Sequence, residues 1–121
     1  MQMKPLDPTF PIQQQLGERA SPVVLVNLFT LDRADESAFV DAWTHDAVFM
    51  KAQRGFISTQ LHRAVGANAT YFNTAVWESV EAFSAAFSAP EFRARLADYP
   101  NSAVTSPHLF QSVAVPGVCV A

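Results

Sequence analysis

The stretch GFISTQLHRAVGANATYFNTAVWES, residues Gly55 to Ser79, carries the clearest structural signal in the chain. Two runs rich in β-branched and aromatic residues, Phe56–Arg63 and Thr70–Trp77, flank the short segment Gly66-Ala67-Asn68, whose residues favour a turn. Strand-forming runs on either side of such a turn are typical of a β-hairpin. The stretch therefore predicts two antiparallel strands in the middle of the chain.

The register of this hairpin determines which side chains share a face of the sheet. If Val65 pairs with Thr70 across a four-residue loop, His62 lies opposite Asn73. The polar and aromatic face predicted by this register consists of Ser58, Gln60, His62, Tyr71, Asn73 and Trp77, and the predicted core face consists of Ile57, Thr59, Leu61, Phe72, Thr74 and Val76. A mixed face of this kind is exposed to water in some proteins and lines an enclosed cavity in others, and both interpretations stay open here.

A second strand is predicted by the run VVLVNLFTL, Val23–Leu31, which is almost entirely apolar. A short continuous apolar run that begins with β-branched residues is typical of a central strand buried on both faces. Asn27 interrupts the run, and a buried amide without hydrogen-bond partners costs about 1–3 kcal/mol. Asn27 is therefore expected either to bond to a structural neighbour or to face a pocket.

Helical patterns follow each of the two predicted strand regions. A helix is predicted from Asp32 to about Lys51, with Trp43 interpreted as part of its buried stripe. A second helix is predicted over Val80–Phe87, and a capping-box pattern at Ser88–Glu91 predicts a further short one. The last strand is predicted at Leu109–Val115.

The resulting order of elements predicts an α+β fold in a single domain. Strand, helix, strand, strand, helix, strand is the ferredoxin-like arrangement, with a four-stranded antiparallel sheet and its helices on one face. The other face is also apolar, so we expect a homodimer to cover it. Residues 1–21, with several prolines, are predicted to form an N-terminal arm, and residues 22–121 the domain with its C-terminal tail.

Charge and hydropathy exclude several classes of partner. The net charge is −3 and no Lys/Arg cluster occurs, which argues against nucleic acid and against a polybasic membrane surface. No apolar run reaches the length of about 18 residues that a membrane helix requires, and no signal peptide is recognised. The sequence is thus expected to belong to a cytoplasmic protein.

No signature of a metal or nucleotide site occurs in the sequence. Cys119 is the only cysteine, so no intrachain disulfide is expected. His62 and His108 are isolated histidines, which are weak evidence for a metal site. The chain also lacks a Gly-rich phosphate loop, a GxSxG elbow and HExxH spacing, so we predict no metal ion.

Four segments of the chain together resemble the antibiotic biosynthesis monooxygenase (ABM) domain family. The segments are VLVNLFTL with Asn27 inside it, FMKAQRGF at residues 49–56, STQLHRAV directly after it, and AVWESVEAFSAAFSAPEF at residues 75–92. The resemblance covers residues 23–96 and implies a dimeric α+β barrel built from ferredoxin-like protomers. It also implies a cofactor-independent monooxygenase that oxidises a planar phenolic or anthrone-type molecule with molecular oxygen.

The resemblance suggests roles for the polar and aromatic residues of the predicted strands. Asn27 would hold the oxygen atoms of the substrate, and His62 would accept a proton because its ordinary pKa is near neutrality. Tyr71 and Trp77 would stack on the aromatic rings. Further candidates for contact with the substrate are Trp43, Asn73 and His108.

Other activities on the same fold also have to be considered. An isomerase, cyclase or decarboxylase would use the same barrel without oxygen, and a small-molecule-binding dimer would have no activity. A branch of the family that degrades haem shares the asparagine of the first strand. It has a Trp and a His where this chain has Ala86 and Leu96, so haem oxygenation is not expected.

Overall fold

One twisted sheet with all its longer helices on one side forms the body of the protein in the computed structural model, which describes residues 1–121. The strands are β1 (Gln2–Met3), β2 (Val23–Thr30), β3 (Phe56–Arg63), β4 (Thr70–Trp77) and β5 (Val104–Phe110). The helices are α1 (Ile12–Gln15), α2 (Glu36–Lys51), α3 (Val80–Phe87) and α4 (Pro90–Arg95). None of them has the length and hydrophobicity that crossing a membrane requires.

The sheet has five strands in the order β1-β5-β2-β4-β3, so the prediction of four antiparallel strands was wrong at one edge. The additional strand β1 lies parallel to β5, with Gln2 opposite Val104 and Met3 opposite Thr105. Two backbone hydrogen bonds, from Gln2 N to Ala103 O and from Lys4 N to Thr105 O, hold it there. A two-residue strand has no periodicity of its own, which is why the sequence pattern did not reveal it.

The last strand, β5, begins and ends about five residues earlier than the predicted Leu109–Val115. Its sequence contains Pro107, a residue that cannot donate a ladder hydrogen bond. In the structure, the backbone oxygen of Thr105 faces β1 and accepts a hydrogen bond from Lys4 N. Pro107, two residues on, faces the same side, where the short β1 has already ended. The missing N–H therefore leaves no neighbouring acceptor unpaired.

The β3–β4 hairpin is confirmed with the predicted strand bounds, but its register differs by one residue. His62 lies opposite Phe72, and Leu61 takes the place opposite Asn73. The cause is the loop, since Ala64 N donates to Thr70 O and leaves five residues to make the turn. An irregularity between Phe56 and Ser58 shifts the register by one further residue, so that Phe56 lies opposite Trp77. A one-residue slip moves every side chain of β3 to the other face.

The two faces of the sheet therefore differ from the predicted ones. The helix face, which packs against α2, α3 and α4, carries the odd-numbered residues of β2 and β4, and its largest buried side chain is Trp77. The opposite face, called the outer face below, has no element packed on it. Ser58, Gln60 and His62 share the outer face with Phe72, Thr74 and Val76.

The helices begin and end close to the predicted positions, with differences at two caps. Helix α2 ends at Lys51 as predicted, but residues 33–35 form a 3₁₀ turn before it, and no Asp32 side-chain cap is made. Ser79 Oγ accepts a hydrogen bond from Ala82 N at 3.1 Å and caps α3. Helix α4 begins at Pro90 after Ala89, so the predicted capping box at Ser88 does not form.

Gly55 closes the connection between α2 and β3 in a conformation that only glycine adopts easily. Its φ is +85°, and a Cβ atom placed there would lie 2.4 Å from the Cβ of Ala82. Gly66 in the hairpin loop also has a positive φ, +97°, but a Cβ there would meet only Asn68 Nδ2 at 3.9 Å. A side chain would strain the backbone at both positions, but only at Gly55 would it also overlap a neighbouring atom.

We predict that Gly55→Ala lowers the free energy of unfolding by about 3 kcal/mol or more, since α3 must move as well as the backbone. Gly66→Ala is the matched control and is expected to cost about 1 kcal/mol. Urea denaturation of both variants measures the difference. Equal losses at the two positions would show that the contact of Gly55 with α3 is not as close as described.

Candidate functional site

A cavity of about 150 Å³ lies between the helix face of the sheet and the helices. Of the 22 residues that line it, 15 are hydrophobic. The lining residues come mainly from the five strands and from α2, α3 and α4. An apolar cavity of roughly this volume in another protein admits benzene. The site is therefore large enough for at least one aromatic ring, and its apolar wall with a few polar groups is typical of small-molecule sites.

Two asparagines form a polar patch on the sheet side of this cavity. Asn27 of β2 and Asn73 of β4 are directly opposite each other across the strand pair. Thr105 of β5 donates its hydroxyl hydrogen to Asn27 Oδ1 at 2.6 Å, which fixes the orientation of that amide. The Nδ2 group of Asn27 and the whole side-chain amide of Asn73 have no hydrogen-bond partner within the protein. Both expectations for Asn27 hold, since one end bonds to a neighbour and the residue also lines the cavity.

Trp77 extends the patch along β4, four residues after Asn73 and on the same face. Its side chain is only 1% exposed, with the ring edge-on to Phe56 and Phe83 at centroid distances of 5.4 and 5.7 Å. The indole Nε1 atom is buried and has no hydrogen-bond acceptor. Nearly all buried donors in proteins are paired, so this unpaired N–H, in a residue that lines the cavity, is an exception.

Asp46 brings a carboxyl group to the helix side of the cavity, and the sequence analysis did not identify it. It lies in α2 and is 9% exposed. Tyr99 donates its hydroxyl hydrogen to Asp46 Oδ2 at 2.9 Å, while Oδ1 is buried without a partner. Burial raises the pKa of Asp46 to about 6, and the hydrogen bond from Tyr99 together with the charges of Arg95 and His45 offsets part of this increase.

A sequence signal for Asp46 does exist. Phe39, Ala42 and Asp46 follow one another at helical spacing and are the buried residues of α2. An acid in the middle of a buried stripe must be paired or functional, since ionised carboxylates are rarely left in an apolar environment. The predicted stripe, which contained Trp43, did not include Asp46.

Three residues predicted to belong to the site lie outside the cavity. His62 is on the outer face, stacked on Phe72 at a centroid distance of 4.4 Å, because of the register difference in the hairpin. His108 is also on the outer face, where its ring lies 5.4 Å from that of Phe110. The shared face predicted for His62 and Asn73 was therefore wrong.

Tyr71 occupies the helix face but at the far end of β4 from Trp77. Its ring packs on Phe39 at 4.8 Å, and its hydroxyl donates to Glu36 Oε1 at 2.7 Å. Arg63 binds the same carboxylate oxygen through Nε at 2.8 Å. These contacts attach the hairpin to the start of α2 and lower the pKa of Glu36. Of the predicted site residues, Asn27, Trp43, Asn73 and Trp77 line the cavity.

The remaining wall of the cavity includes the N-terminal residues and one cation. Met1 and Met3, placed there by the pairing of β1 with β5, lie beside the sheet. Arg93 of α4 is the only basic side chain in the wall, and its guanidinium lies 5.8 Å from the ring centroid of Phe87.

No group of three or more His, Cys, Asp or Glu side chains is arranged to hold a metal ion.

Comparison with known proteins agrees with this architecture. The profile of the antibiotic biosynthesis monooxygenase family matches residues 22–97. SnoaB from Streptomyces nogalater, described as a cofactor-independent oxygenase, is 26% identical with a TM-score of 0.73, over 81% of this chain and 99% of SnoaB. A candidate monooxygenase from Shewanella loihica PV-4 is 29% identical with a TM-score of 0.67, over 82% of this chain and 100% of the other.

A candidate antibiotic biosynthesis monooxygenase from Bordetella bronchiseptica shares the fold at 16% identity, with a TM-score of 0.68 over 78% of this chain and 100% of its own. Among proteins with curated functions, none matches the chain. These similarities confirm the ferredoxin-like α+β fold and, through the family profile, the resemblance found in the sequence. The chain belongs to the antibiotic biosynthesis monooxygenase family.

Proposed function

We propose that this protein is a cofactor-independent monooxygenase that oxidises a planar aromatic, phenolic small molecule with molecular oxygen. The observation that carries the proposal is a set of polar groups without a protein partner in three residues that line an apolar cavity: the Asn27 Nδ2 group, the Asn73 amide and the buried Trp77 Nε1 atom. An occupant with an aromatic body and oxygen atoms at its edge would pair with all three. The similarity to SnoaB, described as a cofactor-independent oxygenase, supports the reaction class.

In such a reaction the substrate itself supplies the electrons. A methylene carbon between two aromatic rings loses a proton, and the electron pair left behind is delocalised onto a phenolate or enolate oxygen. The carbanion reduces O₂ and bonds to it, and the peroxide then loses water to leave a carbonyl group. One substrate CH₂ group and one O₂ molecule give one C=O group and one H₂O molecule. The protein has to provide a proton acceptor and stabilise the negative charge on oxygen.

The asparagines on the sheet are suited to stabilising that charge. Their amide N–H groups would donate to the substrate oxygen on which the charge develops, and they are held ready by the pairing of β2 with β4. Thr105 of β5 binds the Oδ1 atom of Asn27 and leaves the Nδ2 group of Asn27 free to donate to a substrate. Trp77 would add a third N–H donor and an aromatic surface next to the substrate ring.

A homodimer is part of the same proposal. The outer face carries the partly exposed apolar side chains of Val24, Val26, Phe72 and Val76. Leu28, on the same face, is 37% exposed. A sheet face with this many apolar side chains and no element packed on it is unusual on the surface of a monomer. A second copy of the chain, packed sheet against sheet, would cover it while leaving the cavity on the helix side.

We predict that the purified protein, treated with a chelator and without flavin, consumes one O₂ per molecule of an anthrone-type substrate. Asn27→Ala is expected to lower kcat/KM about 100-fold, because one donor to the developing charge is lost. Trp77→Phe, which keeps a ring but removes the N–H, is expected to lower it about tenfold. An oxygen electrode with product detection by absorbance measures these rates.

His62→Ala is the matched control and should retain the wild-type rate, since His62 is on the outer face. Full activity of the Asn27 and Trp77 variants would contradict the site assignment. Turnover under argon would instead indicate an isomerase, cyclase or decarboxylase. Binding of the aromatic compound without any turnover would indicate a binding protein.

The dimer is tested by a charge on the outer face. We expect the wild-type protein to sediment as a dimer at micromolar concentration and Leu28→Glu to sediment as a monomer, because a carboxylate would be buried in the interface. Val65→Glu, in the 98% exposed hairpin loop, should remain dimeric. A monomeric wild-type protein in sedimentation velocity would rule out the proposed assembly.

A further inference from the structure

Asp46 is the only acidic side chain in the wall of the cavity, and half of its carboxylate has no structural role. Oδ2 accepts the hydrogen bond from Tyr99, whereas Oδ1 has no partner although it is buried. Most buried polar atoms in proteins are paired, and a carboxylate oxygen left unpaired at 9% exposure destabilises the fold. Because Asp46 is one of the residues that line the cavity, a molecule bound there is the candidate partner for this oxygen.

Tyr99 holds the carboxylate in place. Its ring is buried against Phe29 and Phe39, with centroid distances of 6.2 and 5.8 Å, so the hydroxyl group cannot move freely. Burial and the neighbouring Asp46 charge raise the pKa of Tyr99 far above its ordinary range. Tyr99 is therefore a permanent hydrogen-bond donor to Oδ2 and leaves only Oδ1 free to exchange a proton.

We infer that Asp46 Oδ1 is the proton acceptor that converts the bound substrate into its carbanion, with Tyr99 as the positioning residue. The inference rests on the proposed function, because it assigns a residue to a step of that reaction. It also replaces His62, which the sequence suggested for the same role but which lies across the sheet from the cavity.

One carboxylate can carry all the protons of the reaction. Asp46 first takes a proton from the substrate methylene, and the electron pair stays on the substrate and reduces O₂. The resulting peroxide anion takes this proton back. Asp46 then accepts the second methylene proton as the O–O bond breaks and the carbonyl forms, and it passes that proton to the departing hydroxide. The products are a carbonyl group and water, and Asp46 is again a carboxylate.

The surroundings of Asp46 suit such repeated transfers. A carboxyl group with an ordinary pKa near 4 is a weak base, whereas burial brings the pKa of Asp46 to about 6. The charged groups around it are Arg95 of α4 and His45 of its own helix, both of which favour the carboxylate. Tyr99, Arg93 and Met1 are the other residues of the cavity wall with an ionisable group. At neutral pH the group is thus ionised but more basic than an exposed carboxylate.

The closing experiment separates proton removal from oxygen chemistry. Anthrone is incubated with the protein in D₂O under argon, and exchange of its methylene hydrogens is followed by NMR. The same protein is then assayed with O₂. We expect the wild-type protein to accelerate exchange and Asp46→Asn to reduce both exchange and O₂ uptake about 100-fold. Asp41→Asn, the same substitution at an exposed acid of α2, is the matched control and should change neither.

Each outcome of this experiment is decisive. Exchange that depends on Asp46 but without O₂ uptake would support the proton acceptor and refute the oxygenase. Unchanged O₂ uptake or exchange in Asp46→Asn would refute the role of Asp46 as proton acceptor and would remain consistent with an oxygenase. No exchange and no O₂ uptake by the wild-type protein would overturn both.

Tyr99→Phe tests the positioning role through the pH profile. Removing the hydroxyl donor takes away an interaction that stabilises the Asp46 carboxylate, so the acidic limb of the exchange rate should move to higher pH by about one unit. A tyrosine that served only for packing would lower the rate without moving this limb. That result would overturn the assignment of Tyr99.

Thermal unfolding tests the state of Asp46 without any substrate. Because the folded protein raises its pKa from 3.8 to about 6, the folded state binds this proton more tightly than the unfolded state. The stability from this group is therefore fully present below about pH 4 and is lost as the pH rises to about 6. Asp46→Asn should melt close to the wild type at pH 4 and several degrees above it at pH 7.5. A difference in Tm that does not change with pH would show that Asp46 is not a buried titrating group.

Discussion

The antiparallel pairing of β2 with β4 is the constraint on which the rest of the site depends. Its register places Asn27 directly opposite Asn73 and brings Trp77 to the end of the same face. Amide groups in the middle of an apolar sheet destabilise the fold unless they are paired, and here only Thr105 satisfies one of them. The fold tolerates this cost next to a cavity, where an occupant can supply the missing partners.

The helices complete the cavity with chemistry of a different kind. The sheet contributes donors, the N–H groups of two asparagines and a tryptophan, whereas α2 contributes an acceptor, the Asp46 carboxylate. Donors on one wall and a base on another fit a substrate that must lose a proton and hold the resulting charge on oxygen. In this arrangement the protein supplies positioning and electrostatics, and the electrons come from the substrate.

Much of the fold could be predicted from the sequence because periodicity and composition are local properties. The hairpin bounds, the central strand and the end of α2 at Lys51 all followed from such patterns. The hairpin register did not, because it depends on a five-residue loop and an irregularity near Ile57 that no pattern specifies. Because the register differs by one residue from the predicted one, His62 lies on the outer face and not in the predicted site. The strand β1 was missed because two residues have no periodicity. The last strand was predicted about five residues too late, since Pro107 is acceptable in a strand only where the neighbouring strand has ended.

The candidate site was predicted in part, for reasons that particular residues show. Asn27, Asn73 and Trp77 could be named because they are polar or amphipathic residues in apolar strands. Asp46 was missed because the predicted buried stripe of α2 did not include it, and its partner Tyr99 comes from a distant loop. The most direct test of the central claim is mass spectrometry of the product formed under oxygen-18 gas. The account predicts one labelled oxygen atom in each product molecule, and an unlabelled product, or the same product formed without O₂, would contradict it.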